Sequence, residues 1–488
     1  MVFSNPWFLL FWAAVLLLLA PGARHEDHAA TWKKRALTAA SCLFYAAWDV
    51  RYLGLLLSVS LTDYWCARRI AAAPGVAARR GYLWLSIASN LGLLGYFKYA
   101  GFFAHNLDAL LGTHLSPLSI LLPAGISFYT FKTMSYVIDV YRGDIRPRES
   151  WLDYAMFVTF FPELIAGPIV RASVFLPQLT RPIGPTRERL AVGLSLFLCG
   201  ASKKVLADHL GIQVSPVFAD PLAFHSSTAW AALLGYTLQI YLDFSGYSDM
   251  AVGCARTLGY ELPENFRMPY LAENVSEFWR RWHITLSTWL RDYLYLPLGG
   301  NRRGPLRTYG NLLATMLLGG LWHGASWNFV LWGALHGGAL AVHRALKSAA
   351  SGRALLPRGP AIAVTFLFCS LCWIPFRCPS FAGTAAMLQA LWPARSAPSI
   401  PWVSYELPWI VALVVLGHAV GVTLEAPGPR ARRLLQRLGA CAQPEALSGV
   451  TLRLSLATAP GVFVVVLWLL CVLLFAVTQT TPFIYFQF

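Results

Sequence analysis

Long apolar runs separated by short polar segments dominate the chain, at residues 5–20, 82–104, 118–140, 228–242, 361–376, 409–423 and 457–477. Each approaches or reaches the roughly 20 residues that a helix needs to cross a hydrocarbon core. A large soluble core gives shorter runs, interrupted by polar surface positions at helical spacing. The pattern predicts an all-α, polytopic membrane protein. With the interrupted segments counted, it has about 11 to 13 transmembrane or re-entrant helices. The first run lacks a basic leader and ends in Ala20-Pro21-Gly22-Ala23-Arg24, a poor cleavage site, so it reads as a retained first span.

One stretch breaks the simple alternation. Residues 308–342 are almost uncharged, yet Arg302, Arg303 and Arg307 precede them and Arg344 and Lys347 follow. Basic loops face the cytoplasm, so such a stretch starts and ends on one side. A single helix of this length is about 50 Å long against a core of about 30 Å, and two full spans need about 40 residues. Two short or tilted segments that meet inside the protein solve the problem. The natural break is Gly319-Gly320-Leu321-Trp322-His323-Gly324, where glycines permit a bend. His323 then lies at or near a turn within the membrane, where irregular backbone survives only if it is buried in protein or lines a cavity.

Composition agrees with the pattern. The chain has 488 residues, 57% hydrophobic and only 13% charged, against about 25% charged in a soluble domain. Its formal net charge of +16 is carried by clusters between the apolar runs: Lys33-Lys34-Arg35, Arg68-Arg69 with Arg79-Arg80, Arg302-Arg303 with Arg307, Arg344 to Arg358, and Arg430 to Arg437. Residues 103–117 and 207–228 hold neither Lys nor Arg, so basic inner loops alternate with neutral outer ones. Charge that punctuates spans and forms no single face argues against nucleic-acid binding. The nine cysteines mostly sit within apolar runs. Even Cys369-x-x-Cys372 lies in a span, so buried inert thiols are expected, with no disulfide framework, no metal and no bound cofactor.

Residues 265–304 are the most polar and aromatic stretch. A helix capped by Ser276 would place Phe278, Trp282, Leu286 (or Thr285), Trp289 and Tyr293 on an aromatic face and Arg280, His283, Ser287 and Arg291 on a polar one. This is an interfacial amphipathic helix, or a helix lining a cytoplasmic cleft with arginines that grip phosphates. Ionisable residues also fall inside apolar runs: Asp243 and Asp249, Lys132 and Asp139 seven residues apart on one face, and Glu163 in a Pro- and Gly-broken segment. Such groups face a partner or a wet cavity. A structural ion pair accounts for Lys132 with Asp139 as well as function does. Of the eleven histidines, His25, His28, His105, His114, His209 and His225 fall in loops or at span ends, where they are solvated. His418 reads as a core residue and His343 as an interface residue. His336 follows His323 by 13 residues, about 20 Å of rise on one helix, which sets it apart from His323. His283 comes from a separate segment and can join His323. A neutral imidazole in a dry, polar-lined cavity serves as a general base.

These residues also carry a family resemblance. Glu264-Asn265-Phe266-Arg267-Met268-Pro269-Tyr270, Phe278-Trp279-Arg280-Arg281-Trp282-His283, Trp289-Leu290-Arg291-Asp292-Tyr293, Pro297-Leu298-Gly299-Gly300-Asn301-Arg302 and Leu318-Gly319-Gly320-Leu321-Trp322-His323-Gly324-Ala325 resemble the signature of the membrane-bound O-acyltransferase family. Its closest likeness is to the alginate O-acetyltransferase branch, which Asp243-Phe244-Ser245-Gly246-Tyr247-Ser248-Asp249, Gly125-Ile126-Ser127-Phe128-Tyr129-Thr130-Phe131 and the opening Met1-Val2-Phe3-Ser4 also match. The likeness is strong over residues 125–338 and rests on span pattern in residues 1–124 and 360–488.

The resemblance implies one membrane domain over residues 1–488, with the helices around a central tunnel, in the bacterial inner membrane. It implies His323 and His283 as the catalytic residues, His323 as the near-invariant histidine deep in the tunnel and His283 on the cytoplasmic side. Trp279, Arg280, Trp282, Ser287, Arg291, Trp322, Asp243 and Asp249 become donor-binding or tunnel-lining candidates, Arg280 and Arg291 for the phosphates of acetyl-CoA. His323 would deprotonate the acceptor hydroxyl or carry the acyl group briefly. The acetyl group would pass to a separate periplasmic partner of the SGNH-hydrolase type, which modifies a polysaccharide. Other readings remain: D-alanyl transfer to teichoic acid from a carrier protein, fatty-acyl transfer, passive transport, or a scaffold of a secretion complex. A transporter predicts an internal repeat of spans, and none is visible.

Overall fold

The computed structural model describes residue 3, residues 5–20, 28–112, 120–180, 184–392, 404–425, 442–445, 449–452 and 459–477, and residue 484. The Arg430 to Arg437 cluster, His25 and His114 lie outside these residues. Apart from a two-stranded ribbon, Ala442–Glu445 with Gly449–Leu452, the extended elements are helical. The chain divides into two compact units: Met1–Phe197, Tyr247–Pro263 and Leu452–Val465, and Leu198–Gly246, Glu264–Thr451 and Val466–Phe488.

The first unit holds α1 (Pro6–Leu19), α2 (His28–Ala46), α3 (Val50–Ala72), α4 (Val76–Leu94), α5 (Ala100–Leu111), α6 (Ile126–Arg142), α7 (Trp151–Thr159) and α8 (Ala172–Phe175). A π turn at Gly95–Tyr99 joins α4 to α5. The apolar run expected at residues 118–140 is helical only from Ile126. Gly125 precedes it in the left-handed region at φ 72, where a Cβ would meet the Leu164 carbonyl. Asp63, fully buried on α3, accepts hydrogen bonds from Ser86 Oγ at 2.5 Å and Asn90 Nδ2 at 2.8 Å, which ties α3 to α4. Lys132 pairs with Glu163, in the non-helical segment after α7, and not with Asp139 as the spacing suggested. The physical reason is reach: a loop that folds back onto α6 presents a carboxylate directly, and Lys132 also donates to the carbonyl of Phe157.

The second unit takes the C-terminal part of α9 (Arg187–Ala219) and the N-terminal part of α10 (Ser226–Leu258). It continues with α11 (Val275–Arg281), α12 (Ile284–Leu290), α13 (Pro305–His323), α14 (Trp327–Ala349), α15 (Arg358–Arg377), α16 (Phe381–Ala390) and α17 (Leu407–Glu425), and ends in the last turns of α18 (Ala459–Phe475). The uncharged stretch 308–342 is two helices, as the charge argument required, and they break at Gly324–Ser326. α13 and α14 pack as a close hairpin. A Cβ on Gly320 would strike the carbonyl of Phe329, and one on Gly333 the carbonyl of Met316. Small residues at such crossings let backbones approach and gain the van der Waals contact that drives helix association in lipid.

Among the described residues, α9 and α15 are long and apolar enough to cross a membrane by length and composition, with mean hydropathies of 1.5 and 1.8. Shorter apolar stretches lie at Trp7–Leu19, Leu407–Val422 and Gly461–Phe475. α6 and α10 carry Lys132, Asp139, Asp243 and Asp249 within the runs that otherwise read as spans, which lowers their mean hydropathy.

Candidate active site

His323 is the last residue of α13, 4% exposed, at the turn of the hairpin. Its imidazole meets the rings of Trp322 and Trp332 edge-on at centroid distances of 5.0 Å each, and that of Phe376 at 5.3 Å. The turn forms here because α13 ends at Gly324, where a Cβ would occupy the Phe329 ring. Ser326 then caps α14 by accepting from the Asn328 amide at 3.3 Å.

His283 arrives from a different segment. The single amphipathic helix expected from Ser276 onward is two short helices, because His283 adopts the left-handed conformation at φ 41 and ψ 56. The cap is Asn274, whose side chain accepts from the Glu277 amide at 2.9 Å. Histidine is among the non-glycine residues enriched in this region of backbone space, and the elbow is pinned from outside. The Arg267 amide donates to the Arg281 carbonyl at 2.9 Å and the Ile284 amide to the Asn265 carbonyl at 3.0 Å. Asn265, 1% exposed, also accepts from the Thr285 hydroxyl at 2.6 Å. The kink changes where the side chain points. Arg280 and Arg291 stay exposed and Ser287 half-buried, as the polar stripe predicts, while His283 is 0% exposed. Its ring meets Phe244 of α10 edge-on at 4.6 Å and Trp322 at 6.1 Å. His283 and His323 therefore pack on the same indole. Position 283 lies outside the segments read as spans, and burial pushes its imidazole down to about 3, so the ring is neutral at ordinary pH.

His336 needs a correction. Thirteen residues on one continuous helix would set it apart from His323, but the hairpin turns α14 back along α13. The rings of His323 and His336 both lie against Trp332, at 5.0 Å and 4.8 Å. Trp279 Nε1 donates to His336 Nδ1 at 3.3 Å. The glycine break at Gly319-Gly320 is the signal in the sequence that argues against a single rod.

The other candidates fall in several places. Trp282, 1% exposed, packs among Tyr241, Phe266, Tyr270, Phe278 and Trp373 in the aromatic core. Ser287 Oγ donates to the Trp282 carbonyl at 3.2 Å and braces the elbow. Arg280 Nη1 reaches Ser276 Oγ at 3.4 Å, whereas Arg291 is held by Asp292 through contacts of 2.6 and 3.1 Å. Asp243 is buried against Lys204 at 2.9 Å, which also pairs with Asp208 at 2.7 Å, and it accepts from the Ile484 amide at 2.8 Å. Its neighbour Phe244 is the residue of α10 that touches His283. Asp249 lies half-buried in the first unit. Of the histidines expected to be solvated, His105 and His225 are exposed, but His209 is half-buried and lies 3.2 Å from Glu406. His418 is buried with Nδ1 2.9 Å from the Val414 carbonyl, as a core histidine should be.

Comparison with known proteins gives the family. The membrane-bound O-acyltransferase family model matches residues 148–369. A probable alginate O-acetylase of Azotobacter vinelandii is 44% identical over 386 residues, covering 77% of this chain and 75% of that one. A peptidoglycan O-acetyltransferase of Helicobacter pylori is 39% identical over 383 residues, covering 73% of each. A teichoic acid D-alanyltransferase of Bacillus subtilis is more distant, 28% identical over 239 residues that cover 46% of this chain and 59% of that protein. With likeness at that level across most of its length, this chain belongs to the membrane-bound O-acyltransferase family and is an O-acyltransferase.

Proposed function

We propose that the protein takes an acetyl group from acetyl-CoA at the cytoplasmic face and passes it across the membrane for O-acetylation of an exported or cell-envelope polysaccharide. In this reading it is a multi-pass protein of the bacterial inner membrane, with about 11 to 13 spanning or re-entrant helices around a tunnel. A periplasmic partner of the SGNH-hydrolase type delivers the group to the polymer. The names of two relatives, one an alginate O-acetylase and one a peptidoglycan O-acetyltransferase, support a polysaccharide acceptor. The D-alanyl alternative rests on the more distant likeness.

The observation that carries the chemistry is the shared wall: His323, at a helix break, and His283, at an unusual backbone elbow, are both buried against Trp322. His323 acts as general base. It accepts the proton of the acceptor hydroxyl as that oxygen attacks the thioester carbonyl carbon, and the carbonyl electron pair moves onto its oxygen. The tetrahedral intermediate collapses, the carbon–sulfur bond breaks, and the departing thiolate takes the proton from the imidazolium. The products are the ester and free CoA. His283, from the cytoplasmic side, orients the thioester, and Arg280 holds the phosphates of the donor. Rings that exclude water strengthen each of these interactions.

Purified protein with radiolabelled acetyl-CoA, an acceptor protein and the variants His323→Ala and His283→Ala tests the reading. Thioester loss and label transfer in the wild type, abolished by His323→Ala, are expected. A wild type that neither binds nor consumes acetyl-CoA with the acceptor present overturns the donor, and an active His323→Ala overturns the base.

A further inference from the structure

Two side chains beside His323 have polar atoms that the mechanism above does not use. Trp332 and His336 are 1% and 0% exposed and stand four residues apart on α14, so they lie on one helix face, one turn apart. Among the described residues, neither Trp332 Nε1 nor His336 Nε2 has a hydrogen-bond partner. The protonation of His336 follows from its neighbour. Indole N–H is a donor only, so His336 Nδ1 must accept from Trp279 Nε1 at 3.3 Å, and the neutral ring carries its hydrogen on Nε2. The face thus presents two N–H donors, on rings 4.8 Å apart, and one of those rings lies 5.0 Å from the His323 imidazole.

We propose that Trp332 Nε1–H and His336 Nε2–H donate to the carbonyl oxygen of the acyl group being transferred, and so hold the charge that develops on it. The inference rests on the acyltransferase reading and deepens it. A buried donor with no acceptor is costly, so two of them one helical turn apart beside the reacting histidine call for an acceptor. A carbonyl oxygen suits the pair because it only accepts and has two lone pairs. Around the pair stand the rings of Phe278, Trp279, Phe368, Trp373 and Phe376, which offer no lone pair, so apart from the His323 imidazole the surroundings give a bound water little to donate to. As the tetrahedral intermediate forms, the oxygen gains negative charge and both hydrogen bonds tighten, so the pair favours the transition state over the bound thioester. Trp279 acts one step back, as a positioning residue: its donation to Nδ1 keeps the His336 proton on the nitrogen that needs it.

The test measures kcat and KM for acetyl-CoA, with the thermal midpoint in detergent, for the wild type, Trp332→Phe, His336→Gln and His336→Asn. Phenylalanine keeps an aromatic ring and deletes the N–H. Glutamine can put an amide N–H where Nε2 stood, and asparagine cannot. Trp332→Phe and His336→Asn are expected to lower kcat about 100-fold while KM and the midpoint stay near wild type, and His336→Gln to recover part of the loss. Wild-type kcat in Trp332→Phe and His336→Asn overturns the inference alone. So does a fall in kcat matched by a lower midpoint, with glutamine no better than asparagine, which marks a packing role or a bound water. A wild type without turnover overturns the acetyltransferase reading, and this inference with it.

Discussion

The left-handed elbow at His283 makes a prediction that separates backbone from side chain. His283→Ala and His283→Gly delete the same ring and lose the same contacts with Phe244 and Trp322, so their difference reports the backbone. At an ordinary position glycine is the worse of the two by about 0.5–1 kcal/mol, because the unfolded chain gains freedom. At φ 41 an alanine Cβ crowds the following carbonyl at a cost of about 1–2 kcal/mol that glycine escapes. The order therefore reverses or becomes level, with His283→Gly more stable than His283→Ala by about 0–1.5 kcal/mol. Chemical or thermal unfolding in a fixed detergent measures the order. Acetyl transfer by the same samples measures the ring, and both variants should lose it alike, since a restored backbone does not replace an imidazole. Alanine clearly more stable than glycine would refute the elbow, and full activity in either variant would refute a role for the side chain.

Three further outcomes follow from named contacts. Burial holds the folded His283 at about 3 against about 6.5 in the unfolded chain. As pH falls the unfolded chain takes up this proton first, so the fold keeps its full stability above about pH 6.5 and loses up to about 1.4 kcal/mol per unit below it. His283→Asn should flatten the stability slope between about pH 6 and 4, and an unchanged slope counts against the buried neutral ring. Breaking the Lys132–Glu163 pair from one side, with Lys132→Met or Glu163→Gln, should cost about 3–5 kcal/mol, and Lys132→Met with Glu163→Met should restore most of it. Additive losses in the double variant would show that the two side chains do not depend on each other. Arg280→Ala should raise KM for acetyl-CoA about 10-fold with kcat unchanged. Arg291→Ala should change KM less than about 3-fold because Asp292 already occupies that guanidinium, and the reverse order would reassign the phosphate contact.

How far the sequence could be read depended on whether the cause of each feature was local. Apolar runs, the break near Gly320 and the burial of Phe278, Leu286, Trp289 and Tyr293 follow from neighbours within a few residues, and all are present. The kink at His283 has no local cause. Nothing from Ser276 to Tyr293 forbids a continuous helix, and the elbow is held by hydrogen bonds that the Thr285 amide and hydroxyl donate to Asn265, about twenty residues upstream. The same distance effect hid Glu163 as the partner of Lys132, 31 residues away. Asn265 stood inside a recognisable motif, but no spacing rule could assign it to the backbone of Ile284 and the hydroxyl of Thr285.

The two breaks solve one geometric problem, and the dipeptides at them show how. Trp282-His283 and Trp322-His323 each ask that two neighbouring rings be buried, and all four side chains are at most 4% exposed. Successive residues of a helix point about 100° apart, so a continuing helix buries both only if protein surrounds it. Ending the helix at the dipeptide removes the constraint. At His283 the backbone turns left-handed and brings the ring inward beside Phe244. At His323 the helix stops and the next residue, Gly324, leaves the place of a Cβ to the Phe329 ring. Both solutions put an imidazole on Trp322 from a segment that cannot simply slide along its own axis. Both helix terminations, at His283 and at His323, have the same result, the placement of a buried histidine.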